Sequence, residues 1–461
     1  MEITPTIQAE VQTYLKRKGL TMTEFGHTID LNVGTVSGIV TGNRSMSVHQ
    51  LDSITAGMNL PPDYFYERYI EECIEECPLN WKKISPFLYR CIELGRLDCL
   101  QRVVILLLDN PNYLPSLFEV AENVYQDGYN EAAAYLYKKV AESEKQQHSE
   151  RLAICQYRLF QINVGQDRAV NLQAAIEFAP FVDRLDEIEQ LDALKDLANV
   201  YRSLSMWDKV YEFAHQMGQL GQLQYHLVHN SKRKGAEPRK ELSRPLFVYI
   251  AYAELMCANA CDAKGDHEQA LEHLRGYSDL SWVKENDPDT LHWLEKFEHW
   301  AKINTCVNKL MSGDISVLPD YVDHISGEQH IFAELLNVIE VANRYNIDID
   351  YILQHFEPQI ESYRDQLYSS TLTEQQVILE ENVRFWYKLA KYNLNKGKYS
   401  YGFKCLIDAF EKAVALKHEL LIANCVGLFE RFRAHAEHGI VARYNMWEKN
   451  DRKDGFTICS D

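Results

Sequence analysis

Apolar residues recur every three to four positions along most of the chain, and Gly and Pro fall between the periodic runs. Helices are therefore predicted almost throughout. Ile7, Val11 and Leu15 predict a first helix over Ile7–Lys18, stopped by Gly19. Thr21 caps a second helix, with Glu24 three residues on in a capping-box pattern and Phe25 and Ile29 on the apolar side. A short turn follows at Asp30 and Leu31. Asn32 caps a third helix reaching about Val40, with Val36 and Ile39 inward, and Gly42 ends it. Ser47 caps a fourth, with Val48, Leu51, Ile54 and Met58 on one side, and Pro61-Pro62 closes the group.

From about residue 71 onward the pattern is one of helical hairpins, with weak internal repetition. The clearest copy runs through Trp386, Leu389 and Ala390, then Gly397, Tyr399, Gly402, Leu406 and Ala409. Similar offsets link Ala258 to Gly265, His267 and Ala270, and link Leu117, Val120 and Ala121 to Gly128 and Ala133. Leu194, Leu197, Ala198 and Tyr201 lead to Trp207 and Val210, and Ala342 leads more loosely to Tyr345 and Tyr351. The clearer copies stand 77, 60 and 84 residues apart, which leaves room for diverged repeats between them. One hairpin cannot bury its apolar face alone, whereas stacked copies can.

Residues 31–42 resemble the recognition-helix segment of the phage-repressor (Xre/Cro-like) helix-turn-helix family. The likeness lies in the Thr35-Val36-Ser37-Gly38-Ile39 core, the Gly after the helix and the Leu-rich fourth helix, and it covers about residues 7–66. It implies that the third helix enters the major groove of double-stranded DNA. Asn32, Val33, Gly34, Thr35, Ser37 and Gly38 would then lie toward base edges, and Thr23, Thr41, Asn43, Arg44 and Lys16 to Lys18 near phosphates. Gly34 and Gly38 offer no side chain for bidentate base contacts, so readout would lean on shape. The other reading of this bundle is a protein-docking module.

The hairpins closely resemble tetratricopeptide repeats. The whole is expected to be all-α: a helix-turn-helix bundle over 1–66, a linker helix over 67–80, a right-handed solenoid over 81–445 and a tail over 446–461. In that repeat family the first helix of each pair lines a concave wall, and an Asn just after the small Ala holds an extended peptide. Asn199, Asn259 and Asn343 are placed there, with Asn346 and Tyr387 beside them and Arg202 or Lys391 available for a carboxylate. Exposed helix surface or contacts within a dimer remain the alternative for this set.

Composition narrows the classes. Hydrophobic residues are 46% and charged residues 25%, as in a folded globular chain of 461 residues with two or three structural units. The 27 tyrosines suit helical packing and a peptide groove alike. No apolar run reaches the roughly 18 residues of a membrane span, no signal peptide is evident, and the 11 cysteines lack paired spacing; the expected compartment is the cytoplasm. The formal charge of −19 requires any DNA contact to be local, and suits a scaffold attractive to a basic ligand. A basic run over 232–240 reads as a solvated loop or a joint. Cys73 and Cys77 lie one turn apart but lack a second metal-ligand pair. His435 and His438 lack a third ligand. There is no phosphate loop and no nucleophile elbow, so no cofactor, metal or enzymatic activity is expected.

A head of the first kind joined to repeats of the second resembles the peptide-pheromone receptors of Gram-positive bacteria, the Rgg, PlcR and PrgX (RRNPP) group. The resemblance implies a quorum-sensing transcription regulator that binds operator DNA as a homodimer and is switched by a short signalling peptide in the repeat groove. The alternatives are a ligand-independent repressor, or an adaptor whose repeats only dimerise or dock a protein.

Overall fold

A computed structural model describes residues 5–144, 149–165, 167–230, 242–326, 331–364, 372–416 and 418–451. Every regular element among the described residues is helical, and two compact units form, Met1–Ile162 and Asn163–Asp461. The basic run over 232–240 lies outside the described residues, as do residues 452–461 of the expected tail.

Unit one begins with α1 (Ile7–Lys18), α2 (Met22–Thr28), α3 (Val33–Val40) and α4 (Val48–Gly57). Local chemistry sets their ends. Thr6 caps α1, and Gly19 closes it at φ 66°, where its N–H reaches the Leu15 and Lys16 carbonyls. The capping boxes Thr21–Glu24 and Ser47–Gln50 both form. Between α2 and α3 the chain turns through Asp30 at φ 54°, and Leu31 N–H donates to the Gly26 carbonyl at 2.9 Å.

The next stretch is the short α5 (Tyr66–Tyr69) and a π-helical turn, Ile70–Glu75, followed by α6 (Trp81–Glu93), α7 (Leu97–Leu108), α8 (Leu114–Gln126), α9 (Asn130–Glu144) and α10 (Glu150–Asn163). The segment expected as a linker turns three side chains, Tyr69, Ile70 and Ile74, into the core, while most of its other residues are exposed. Phe65, Tyr66, Tyr69 and Ile70 are buried, and the Tyr66 and Tyr69 rings meet Phe87 of α6 at 5.0 and 5.1 Å. Glu72 accepts the Ile7 N–H, and Arg90 of α6 donates to Asp52 of α4 at 2.8 Å. The bundle and the first hairpins thus share one interior, and no compact-unit boundary falls at residue 66.

At the start of α7, Arg96 binds Asp98, Asp63 and Glu67. The Arg96 hydrogen bonds hold the Asp98 carboxyl down at about 2. A folded-state value below the unfolded value of about 3.9 stabilises the fold above pH ~4, and that contribution is lost as pH falls toward 2. Asp98→Asn should therefore flatten the acid limb of the protein's stability profile between pH ~4 and ~2, read as melting temperature against pH.

Unit two comprises α11 (Arg168–Phe178), α12 (Glu187–Ser203), α13 (Trp207–Asn230), α14 (Leu246–Lys264), α15 (His267–Ser278), α16 (Pro288–Met311), α17 (Leu318–Ile325), α18 (Phe332–Tyr345), α19 (Asp350–His355), α20 (Glu357–Arg364), α21 (Leu372–Asn395), α22 (Tyr399–Ala415), α23 (Glu419–Phe432) and α24 (His438–Asp451). Partners within hairpins pack closely, and the first helices also pack on one another in the order α12, α14, α16, α18, α21.

One device recurs at the hairpin turns. A single left-handed residue follows the first helix: Gly95 and Gly128 in unit one, then Ser205, Gly265, Gly313, Asn346 and Gly397. Seven residues earlier stand Leu88, Ala121, Ala198, Ala258, Cys306, Ile339 and Ala390, and all but Cys306 are fully buried. The four Ala positions are those legible from sequence. The hairpin that turns at Gly313, α16–α17, falls inside the 84-residue interval. In α21–α22 the approach is close, since a Cβ on Gly402 would stand 2.8 Å from Leu394 Cγ.

Helix α14 is long and apolar enough, by length and composition, to cross a membrane, but 67% of its apolar stretch is buried among neighbouring helices. A helix apolar on all sides is what a position at the centre of a stack requires.

Candidate functional site

On α3, Val36, Ile39 and Val40 are buried, while Val33, Gly34, Thr35, Ser37 and Gly38 lie along the half-exposed side. Asn32 Oδ1 accepts the Gly34 N–H at 2.8 Å, so this side chain is engaged as the helix cap. Thr41 donates to the Ser37 carbonyl at 2.8 Å, and Asn43 donates to Thr41 Oγ1 at 3.1 Å. Arg44 does not simply trail from the helix. Its side chain crosses α3 at Gly38, where an added Cβ would stand 3.2 Å from Arg44 Cβ, and its guanidinium donates to Thr35 Oγ1 at 3.1 Å. Thr23 is exposed on α2.

Gln12 of α1 donates to the Val40 carbonyl at 2.8 Å, and Lys16, Arg17 and Lys18 lie exposed in the last turn of that helix. Four of the acids in this bundle are engaged internally. Glu10 pairs with Arg68, Asp52 with Arg90, and Asp63 with Arg96. Glu24 binds Thr21, whose backbone N–H lowers its carboxyl from the ordinary value.

Two glycines that the sequence reading passed over shape this bundle. Gly26 lets α2 approach the turn before α3, since a Cβ there would stand 2.8 Å from the Leu31 carbonyl oxygen. Gly57 admits Ile29 and Phe25 against α4. The available signal was a Gly inside each apolar helical pattern.

In unit two the expected peptide residues all fall on first helices: Asn199 and Arg202 on α12, Asn259 on α14, Asn343 on α18, and Tyr387 and Lys391 on α21. Asn346 is the residue that closes α18. Counted from the left-handed turn residue, Asn199, Asn259 and Lys391 are equivalent, each six positions before it. Asn343 is only three before Asn346, and Glu340 holds the equivalent place on α18. The ladder is therefore Asn199, Asn259, Glu340 and Lys391, with Val307 of α16 between the second and third. Asn346 sits at φ 54° on an exposed turn, where it serves the helix end.

The free capacity of these groups differs. Tyr252 donates to Asn199 Oδ1 at 2.7 Å, tying α14 to α12. Asn343 donates to the Lys388 carbonyl at 3.0 Å, and its own buried oxygen has no partner among the described residues. Tyr387 is half-buried, and that burial pushes its hydroxyl above the ordinary value. α16 contributes residues that the sequence reading missed, because its hairpin carries Cys306 where others carry Ala. Trp300 stands thirteen residues before its turn, as Tyr252 and Arg384 do before theirs. Trp293 lies within 5.2 Å of the Arg244 guanidinium and 4.8 Å of the Lys296 ammonium.

Arg384 of α21 donates to Ser205 Oγ at 3.4 Å. These residues are 179 positions apart, and Ser205 is the turn after α12. The row of first helices thus curls back toward its beginning. Arg384 shares the face of Asn199 and Asn259, so that face lies on the inside of the bend. A separate cavity of about 520 Å³ opens on the opposite side of α14, lined by Tyr225, Ile250, Glu254 and Trp282 among others, and none of the expected ligand residues reaches it.

Among the described residues no group of three or more His, Cys, Asp or Glu is placed to hold a metal. Cys91 and Cys99 are buried and Cys77 is exposed, while His435 stacks on Tyr399 at 4.2 Å.

What the fold defines is an all-α protein of stacked helical hairpins that begins with a bundle of short capped helices. No protein-family description and no curated protein matches the chain. Among solved structures it is similar to a circular tandem repeat protein with novel repeat topology and enhanced subunit contact surfaces. The likeness spans 97% of this chain and 90% of that one at 11% identity and a TM-score of 0.14, too low to bear on the fold.

Proposed function

We propose that this protein is a DNA-binding regulator whose helical repeats sense a short peptide. In this reading α2 and α3 form a helix-turn-helix, α3 enters the major groove, and the protein acts as a homodimer on a two-fold operator. The observation that carries it is the corner at Gly26. Two short helices are locked by a backbone approach, and the outer side of α3 is half-exposed with Arg44 lying across it, while Lys16, Arg17 and Lys18 are exposed in the last turn of α1. The internal pairing of the bundle's acids supports a local anion-binding face in a chain of charge −19.

The inner face of α12, α14, α16, α18 and α21 is the proposed peptide seat, in a right-handed tetratricopeptide-like superhelix. Ligand would shift the population between two arrangements of the paired heads, only one of which fits the operator spacing.

The experiment is an anisotropy titration of DNA from the gene's own upstream region across a salt series. Replacing Lys16, Arg17, Lys18 and Arg44 singly by Gln should lower the slope of log affinity against log salt by about one for each phosphate contact removed. Unchanged slopes in all four variants, or no binding to any such DNA, would favour a bundle that docks protein.

A further inference from the structure

The cavity of about 520 Å³ beside α14 is walled by parts of two successive hairpins. Helix α13 runs on to Asn230, whereas α15 ends early, at Ser278. The segment after α15 crosses to α13 and is pinned there. Lys284 N–H donates to the Tyr225 hydroxyl at 3.0 Å, that hydroxyl donates to Glu285 at 2.8 Å, and His229 meets Glu285 at 3.3 Å. These bonds hold Trp282 perpendicular to Tyr225, with ring centroids 5.1 Å apart. The resulting volume is that of a site for one small organic molecule.

The walls differ in what they offer. Glu254 of α14 supplies a half-buried carboxylate. Its Oε2 accepts from His273 at 2.7 Å, and Gly276 gives it room, since a Cβ there would stand 3.0 Å from the same oxygen. Its Oε1 has no partner among the described residues. Trp282 is 37% exposed, and among the described residues no cation stands over its ring. Trp293 of α16, in contrast, has both Arg244 and Lys296 over it. One side of Tyr225 is taken by His229, with centroids 4.1 Å apart, so the open aromatic surface is that of Trp282. The cations of the wall, His226 and Lys284, are exposed, and neither pairs with Glu254. An indole face and a carboxylate oxygen, both vacant and both on one cavity, attract positive charge more strongly the less water they share it with.

We infer that this cavity binds a small organic cation, an amine or quaternary ammonium whose charged head meets Trp282 and Glu254 and whose body rests on Ile250 and Tyr225. A bare metal ion fits poorly, because it needs several hard ligands and no group of three or more ligating side chains is placed here among the described residues. An anion would face Glu254. A neutral apolar molecule would leave that carboxylate without use. The site is separate from the proposed peptide seat and does not depend on it. Its ligand would touch α13, α14 and the segment after α15 together, tying one hairpin to the next. Binding to the folded chain alone raises stability by mass action.

The test uses the full chain and three probes. Choline and phenethyltrimethylammonium are the cations, and 3,3-dimethylbutan-1-ol, which has the shape of choline without its charge, is the neutral molecule. Calorimetric titration at constant ionic strength gives the affinities, and melting temperature is followed in parallel. Both cations should bind saturably and raise the melting temperature, and choline should bind about tenfold more tightly than the alcohol. Trp282→Leu keeps apolar bulk but removes the ring, and should erase that preference, while Trp282→Phe should keep part of it. Glu254→Gln retains an oxygen for His273, and should weaken choline about tenfold without moving the alcohol. Lys284→Gln removes a like charge from the wall, and should leave choline binding undiminished.

Equal affinity of the intact protein for choline and the alcohol overturns the inference, and so do titrations that never saturate. Choline affinity that survives in the Trp282→Leu, Glu254→Gln double variant does the same, because the cation is then held elsewhere. Weaker choline binding in Lys284→Gln also counts against the site, since a cation gains nothing from that ammonium. The preference for choline is a ratio taken on one protein, so a variant that loses part of its fold still reports it. Operator binding and peptide response are measured apart from these titrations, and their failure leaves choline binding and its dependence on Trp282 in place.

Discussion

Replacing Gly26 with valine is expected to abolish operator binding by the intact protein while leaving most of its helix signal in place. A Cβ at this position would stand 2.8 Å from the Leu31 carbonyl oxygen and 3.5 Å from Val36 Cγ2. The first of these is backbone. It cannot swing aside cheaply, because the Leu31 N–H is bonded to the Gly26 carbonyl at 2.9 Å and Asp30 already occupies the left-handed region. Inserting carbon into so tight a corner costs about 1–3 kcal/mol or more. Helix α2 has only seven residues over which to absorb it, so the angle between α2 and α3 opens. Anisotropy with an operator fragment and far-ultraviolet circular dichroism on the same samples separate lost binding from lost folding. Gly427→Ala on α23 is the control, since its Cβ would meet nothing within 4 Å. A Gly26→Val protein with parental affinity would show that α3 does not carry the contact.

Trp386→Ala should be the most destabilising substitution of a side chain in unit two. The indole is fully buried on α21, with Phe385 perpendicular at 5.3 Å and the Lys412 ammonium 5.6 Å from the ring. It belongs to the apolar interior that runs from α16 to the last helices. Truncation of a buried Trp costs about 3–5 kcal/mol through lost transfer energy and the cavity left behind. Against a total of roughly 5–15 kcal/mol this is a large share. With a urea slope of about 1–3 kcal/mol/M, the midpoint should fall by at least about 1 M. Peptide response should vanish as well, although Trp386 does not share the face of Arg384, Tyr387 and Lys391, because α21 holds all three in place. A midpoint unchanged within about 0.3 M would mean that the cavity collapses or that α21 is held mainly by other contacts.

The chemistry of helix ends was open to reading from sequence alone. Thr21 with Glu24, Ser47 with Gln50, and the stops at Gly19, Gly265 and Gly397 involve residues within a few positions of one another, and each forms as expected. The hairpins that place a small Ala seven residues before a Gly were legible for the same reason. Those with Leu88, Cys306 or Ile339 at that position were not, because the site also accepts side chains larger than Ala. Ala342 drew the register of α18 three residues away from its true turn at Asn346, and with it the assignment of Asn343.

The site was legible only in part. Sequence placed Asn199, Arg202, Asn259 and Lys391 on first helices, and gave Arg44 a place near α3. It did not show that Tyr252 occupies the Asn199 acceptor, that Arg44 lies back across Gly38 to Thr35, or that the acids of the inner face are paired. Those facts depend on which neighbour each group meets.

The sequence by itself determined that this protein is helical, where its first four helices start and stop, and where several of the hairpins turn, because these follow from contacts three to seven residues long. Only the tertiary structure decided that the expected linker packs Tyr69, Ile70 and Ile74 into the core, that the membrane-length α14 is a central helix, and that α21 returns to the turn after α12. Those outcomes are set by side-by-side stacking of helices far apart in the chain. Periodicity within a single helix carries no record of which helix will lie against it.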